Sequence, residues 1–133
     1  MTILIDADVI IQAERGLFDL DLWLESLPRE EFKLAAITIA ELWHGAERAT
    51  GIHRAKRRLF LQRIFATFDI VPYSKQTAFE YARIWAELES SGQMIGSHDL
   101  ILAAIAIHTG SAVTTFNKRH FTAVKNLKVI EPK

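Results

Sequence analysis

The stretch GSHDLILAAIAIHTGSAVTTFNKRHF, residues 96–121, decides the fold of this chain. Small and polar residues lead to Asp99, and the uninterrupted apolar block Leu100–Ile107 follows before a glycine. Ala112–Thr115 then form a short strand-like run that precedes Asn117. The pattern predicts a buried helix that leads into a strand, with polar groups only at the two ends. A block this apolar packs against a sheet, so the core fixes the position of Asp99 at its N-terminus.

Asp99 taken alone has a plain structural explanation. A carboxylate in the first turn of a helix is stabilised by the free N–H groups and by the helix dipole. A chemical role for Asp99 therefore depends on other carboxylates that reach the same place.

The composition indicates one domain spanning residues 1–133, because 133 residues of which 50% are hydrophobic suffice for one substantial core. The absence of cysteine fits a reducing compartment, and the cytoplasm is the expected location. The formal net charge of zero means that a nucleic-acid partner would need a local basic patch. Neither a signal peptide nor a membrane span is predicted, since every apolar run is short.

Short apolar runs alternate with amphipathic segments along the rest of the chain. The predicted strands are Thr2–Ile5, Phe32–Ile37, Asp69–Pro72 and Lys128–Ile130. The predicted helices cover residues 9–16, 20–27, 38–49, 53–68 and 75–90. This alternation is typical of an α/β sandwich with a mainly parallel sheet.

Three polar residues are candidate helix caps. Asp8 could cap the first helix, and Ser74 the helix that begins at Lys75. Thr38 with Glu41 three residues later makes a capping box, which would explain Glu41 without any chemistry.

Four oxygen-bearing side chains are expected at one edge of the sheet, because ligand sites of open α/β sheets form beyond the carboxyl ends of the strands. Asp6 follows the first strand, and Glu41 lies in the first turn after the second. Asp99 opens the central helix, and Asn117 follows the next strand. Three carboxylates in one place repel each other unless a cation lies between them. Oxygen ligands without cysteine or a histidine cluster favour Mg²⁺ or Mn²⁺, and such a site suits phosphodiester hydrolysis.

The segments IDADVI, TIAELWHG, GSHDLILAAIAIHTG and VTTFNKRHF resemble, in order and spacing, the motifs of the PIN-domain ribonucleases. Among these, the chain is most similar to the VapC-like toxins of bacterial toxin–antitoxin pairs. The resemblance implies a PIN-like α/β/α sandwich and a metal-dependent endoribonuclease in which Asp6, Glu41 and Asp99 hold Mg²⁺ or Mn²⁺. It also implies a VapB-like antitoxin, which would cover a surface drawn from Leu42, Trp43 and residues 53–68.

The chain departs from the family pattern at two positions. Asn117 stands where an aspartate is often found, and Asp8 stands where a small polar residue is usual. We hypothesise that Asp8 restores the negative charge that Asn117 lacks, directly or through a metal-bound water. The alternative is that Asp8 is only a helix cap.

Other residues near these motifs have weaker functional interpretations. Lys118 and Arg119 could bind an RNA phosphate, and Thr115 could orient a metal-bound water. His98 could contact substrate, although an exposed histidine at a helix start needs no function. Apolar helical faces outside the core also suggest a homodimer.

Two alternative functions remain open at this point. IDADV also fits a haloacid-dehalogenase-like phosphatase, in which Asp6 would attack phosphorus, but the required downstream lysine and acidic pair are not evident. A non-catalytic PIN-like module that only binds RNA or a protein is the second alternative.

Overall fold

A computed structural model describes all 133 residues of the chain. Its centre is a five-stranded, entirely parallel sheet with the strand order β3-β2-β1-β4-β5. The strands are β1 (Thr2–Ile5), β2 (Glu31–Ala35), β3 (Asp69–Val71), β4 (Ala112–Thr114) and β5 (Val129–Ile130). The central strand β1 is almost fully buried, as expected for a β-branched run without alternation.

Six helices cover both faces of the sheet. They are α1 (Ala7–Glu14), α2 (Leu20–Glu25), α3 (Ala36–Arg48), α4 (Gly51–Thr67), α5 (Lys75–Ser90) and α6 (Ser97–Thr109), and a 3-10 turn covers Lys118–Phe121. One core lies between the sheet and the pair α5 and α6, and a second lies between the sheet and helices α1 to α4. The predicted α/β/α sandwich with a parallel sheet is therefore confirmed. No helix combines the length and apolar character that crossing a membrane requires.

Helix α6 is the buried helix that the opening stretch predicts. Its residues 102–106 are at most 1% exposed, and it ends at Gly110, which adopts a left-handed conformation with φ of 67°. Glycine adopts that conformation without the steric penalty that a Cβ atom brings. The apolar block thus fixes the two ends of α6, including Asp99 in its first turn.

The strand order creates a topological switch point between β1 and β4. The chain moves outward from β1 to β2 and β3, and then returns to the other side of β1 through β4. The helices that follow the strands diverge at such a point and leave a crevice beyond the carboxyl ends of the two strands. Asp6 follows β1 and Thr115 follows β4 at this crevice, where the Asp6 N–H donates to the Thr114 carbonyl over 2.9 Å.

Two of the predicted caps are wrong and one is confirmed. Asp6, not Asp8, caps α1, because its carboxylate accepts the Ala7 N–H. Helix α3 starts directly after β2 without a side-chain cap, so Thr38 lies fully buried in its first turn and no capping box forms. The apolar sequence around the junction between β2 and α3 contains no signal for that early start. Ser74 does cap α5, accepting the Thr77 N–H.

Candidate functional site

Asp6 is the most buried carboxylate of the switch-point crevice, with only 7% of its surface exposed. Its Oδ1 accepts the Ala7 N–H over 2.8 Å, and its Oδ2 accepts the Thr115 hydroxyl over 2.8 Å. Burial and the neighbouring Asp8 charge raise the pKa of Asp6 to about 7, although both hydrogen bonds oppose this. The protein itself therefore compensates the negative charge of the ionised Asp6 carboxylate only weakly.

Asp8 connects α1 to the segment that follows β4. Its Oδ2 accepts two hydrogen bonds of 3.0 Å, from the Phe116 N–H and from Nδ2 of Asn117. Burial raises the pKa of Asp8, and the bond from Phe116 opposes that rise. Asp8 thus contacts Asn117 directly, and the hypothesis that it compensates for the missing charge at Asn117 stays a prediction.

Thr115 lies between the two aspartates. Its hydroxyl is 2.8 Å from Asp6 Oδ2 and 3.3 Å from both oxygens of Asp8, and it accepts the Asn117 N–H over 3.0 Å. A hydroxyl has one hydrogen, so the shorter contact identifies Asp6 as its main acceptor. Thr115 therefore fixes the Asp6 carboxylate, whereas the predicted contact with a metal-bound water stays a prediction.

Glu41 and Asp99 form the other side of the site, and each has a histidine beside it. His98 Nδ1 lies 3.7 Å from Glu41 Oε2, and His120 Nδ1 lies 3.3 Å from Asp99 Oδ2. Burial is the main cause that raises the pKa of both carboxyl groups, and the adjacent histidines oppose it. With no capping box at α3, the half-buried position of Glu41 has no capping explanation.

The four carboxylates act within one electrostatic field. Asp8 and Asp99 raise the pKa of Asp6, and Asp99 and Asp8 raise that of Glu41. No lysine or arginine forms an ion pair with any of them, so the histidines are the only potentially cationic partners. The crevice is consequently a place where a cation would be strongly favoured.

The donor set fits a hard divalent cation that keeps part of its water. With the side chains as they stand, no three acidic or histidine groups surround one point closely enough to hold an ion directly. Mg²⁺ is usually bound through one or two carboxylates, with water and substrate phosphates completing its shell. Oxygen atoms of Asp6, Glu41 and Asp99 suit that form of binding, and the cysteine-free chain offers no softer ligand.

The structure brings Asp6, Asp8, Glu41, Asp99 and Asn117 to the same edge of the sheet. Their roles as ligands or catalytic groups stay predictions.

Sequence reasoning missed the contact of His120 with Asp99. The clue was its place in the run Lys118–His120, directly after Asn117. The 3-10 turn that carries this run toward α6 has no clear sequence signal.

The fold and the site define a class of α/β proteins with a carboxylate-rich crevice suited to a divalent cation. Residues 3–127 match the PIN domain family. The ribonuclease VapC1 of Rickettsia felis is 30% identical over 131 residues, which cover 98% of this chain and 96% of that protein. The chain therefore belongs to the PIN-domain family and, within it, to the VapC ribonucleases, which confirms the resemblance found in its motifs.

Solved structures agree with this assignment. The fold matches that of VapBC2 from Rickettsia felis, crystallised with a DNA fragment from its promoter, with a TM-score of 0.90, 24% identity and 98% of both chains covered. VapBC-5 of Mycobacterium tuberculosis, a member of the VapBC family of toxin–antitoxin systems, is 26% identical with a TM-score of 0.75, covering 98% of this chain and 96% of the other.

Proposed function

We propose that this protein is an endoribonuclease toxin that hydrolyses RNA phosphodiester bonds in the cytoplasm with the help of Mg²⁺ or Mn²⁺. One observation carries the proposal. The buried carboxylate of Asp6 and the half-buried carboxylates of Glu41 and Asp99 come from three separate elements and share one field at the strand ends, and no lysine or arginine neutralises them. Membership of the VapC ribonucleases supports RNA as the substrate.

In this proposal Asp6, Asp99 and Glu41 hold the cation, and Asp8 and Asn117 complete the site. Thr115 and the Ala7 N–H keep the Asp6 carboxylate in one orientation. A bound Mg²⁺ or Mn²⁺ would lower the pKa of a water molecule and would stabilise the negative charge on the phosphate oxygens. No side chain is needed as a covalent nucleophile.

The decisive experiment compares Asp6→Asn with Asp19→Asn in cleavage of RNA by purified, antitoxin-free protein. Both aspartates cap a helix by accepting a backbone N–H, and asparagine caps nearly as well. Only Asp6 belongs to the acidic site, so Asp6→Asn should lower the rate roughly a thousandfold, equivalent to several kcal/mol of charge stabilisation. Wild type and Asp19→Asn should be active with Mg²⁺ or Mn²⁺ and inactive in EDTA. Equal rates for Asp6→Asn and wild type would end the proposal.

A VapB-like antitoxin is the proposed partner, and the apolar cleft between α4 and the segment joining α1 to α2 is its proposed site. The cleft has a volume of about 420 Å³ and includes Phe18, Leu20, Phe60 and Ile64 in its walls. Such a cleft suits the apolar face of an amphipathic helix. Leu42, expected on the partner surface, is only 5% exposed and belongs to the core.

A homodimer is proposed through the outer face of α5. Phe79 is 67% exposed and Trp85 is 44% exposed on this helix. The core is filled instead by Ile84 and Leu88 of the same helix. Large apolar groups left in solvent favour burial against a second copy.

The two alternative functions make different predictions from this proposal. A phosphatase would form an aspartyl-phosphate on Asp6, but both oxygens of that carboxylate are already hydrogen-bonded within the fold. A non-catalytic module would bind RNA without cutting it, whatever the metal.

A further inference from the structure

A second cleft adjoins the acidic site on the α6 side. It lies between the loop that precedes α6 and the 3-10 turn, and its volume is about 500 Å³. It is lined by Met94, Ile95, Gly96, Asp99, Arg119 and His120. Small-molecule sites commonly have volumes of roughly 300–1,000 Å³, so this cleft is large enough for one nucleotide.

Asp99 joins the two sites, because it belongs both to the carboxylate group and to the wall of this cleft. A molecule in the cleft therefore lies beside whatever occupies the acidic site. An RNA strand with its scissile phosphate at the carboxylates would place a neighbouring nucleotide here.

The cleft combines a cation with an apolar surface. Arg119 is exposed and forms no ion pair, so its guanidinium is available for a phosphate oxygen. Met94 is 58% exposed, and its thioether is a soft, adaptable surface suited to a flat ring. His120 has its ring fixed by the 3.3 Å contact of Nδ1 with Asp99, while 45% of its side chain is accessible. Single-stranded RNA is commonly held by rings on which its bases stack and by cations at its phosphates.

We infer that this cleft binds the nucleotide next to the scissile bond, with its base against Met94 and His120 and its phosphate at Arg119. A small inorganic anion fits less well, because the Asp99 carboxylate forms part of the wall and repels it. A nucleotide reduces this conflict, because its uncharged base and not its phosphate can lie beside the Asp99 carboxylate. The inference rests on the proposed ribonuclease function and specifies where substrate selectivity arises.

The first test measures binding of a fluorescein-labelled single-stranded oligoribonucleotide in EDTA, so that cleavage is not required. Arg119→Ala is compared with Arg29→Ala, since Arg29 is exposed, forms no ion pair and precedes β2 at the opposite edge of the sheet. Anisotropy titrations at several salt concentrations give the slope of log K against log salt. One lost phosphate contact should reduce that slope by about 0.7 for a single strand, and only in Arg119→Ala. Equal slopes for the two variants would overturn the inference.

The second test sequences the cut sites in a random RNA pool after digestion with Mg²⁺. Met94→Ala should change the base preference at one position beside the cut. Leu17→Ala, which removes an apolar group that is 70% exposed elsewhere on the surface, should not. Cleavage with identical base preferences in wild type and Met94→Ala would refute the proposed nucleotide site in the cleft but would leave the proposed ribonuclease function standing. Arg119-dependent binding without any cleavage would instead support the cleft and refute the ribonuclease.

Discussion

Replacing Asp6 by asparagine should make the metal-free protein more stable while it destroys the proposed activity. The exchange removes the charge of a side chain in a residue that is only 7% exposed, but it keeps the size and shape of that side chain. The asparagine oxygen can accept the Ala7 N–H, and its amide can donate to the Thr115 hydroxyl. That hydroxyl can then turn its hydrogen toward Asp8, 3.3 Å away. No hydrogen bond of the wild-type arrangement needs to be lost.

The magnitude follows from the raised pKa of Asp6. Folding moves this pKa from 3.8 to about 7, and each of these roughly three units corresponds to about 1.36 kcal/mol. Between those two values the unfolded chain has lost the Asp6 proton and the folded chain retains it. Unfolding then releases a proton, so wild-type stability falls as the pH rises through this window. Asp6→Asn avoids that loss, and its advantage should be near zero below pH 4 and reach at most about 4 kcal/mol above pH 7.

Urea denaturation in EDTA at pH 4, 5.5, 7 and 8 measures the free energy of unfolding of both proteins. The m-values should agree, because the surface exposed on unfolding does not change. Asp19→Asn serves as the control, since this exposed cap is expected to change stability by no more than about 0.5 kcal/mol. An Asp6→Asn protein that is no more stable than wild type at pH 8 would show that the carboxylate is already compensated. The reasoning about a cation would then lose its electrostatic basis.

Three further predictions test other parts of the proposals. Asp8→Asn keeps an acceptor for Phe116 and Asn117 but removes a charge, so calorimetry should find an Mn²⁺ affinity about tenfold weaker. An unchanged affinity would limit Asp8 to a positional role. Phe60→Ala should weaken copurification with the antitoxin while RNA cleavage by the free protein persists, and undiminished copurification would remove the α4 cleft as the docking site. Phe79→Glu should lower the mass measured by sedimentation from dimer to monomer, whereas Leu17→Glu should not, and a monomeric wild type would refute the dimer.

Most of the fold could be predicted because its strongest signals are local. The apolar block Leu100–Ile107 predicts α6, and Ser74 marks the start of α5 at Lys75 correctly. The start of α3 could not be predicted, because the run from Leu34 to Ala40 is apolar except for Thr38 and offers no cap. There the last residues of β2, Leu34 and Ala35, pair with Ile70 and Val71 of β3, and such long-range pairing is invisible to local patterns.

The residues that belong to the site could be predicted better than the hydrogen bonds between them. The rule that polar residues gather beyond the carboxyl ends of parallel strands predicts the convergence of Asp6, Glu41, Asp99 and Asn117. Thr115 and Asn117 donate hydrogen bonds to Asp6 and Asp8, which lie more than 100 positions away in the sequence. Their geometry depends on the register between β1 and β4, which pairs Ile5 with Thr114. Sequence spacing alone cannot supply that register.

Asp6 lowers the stability of the metal-free fold while it serves the proposed function, and both effects follow from its burial at the switch point. The core buries the end of β1 to cover the sheet, and a carboxylate there is destabilising until a positive charge arrives. Ala7 and Thr115 recover only part of that loss, since the pKa of Asp6 still rises to about 7. A divalent cation would recover the rest and would therefore stabilise wild type more than Asp6→Asn. The same unfavourable burial that weakens the metal-free fold is thus what would make the site bind a cation.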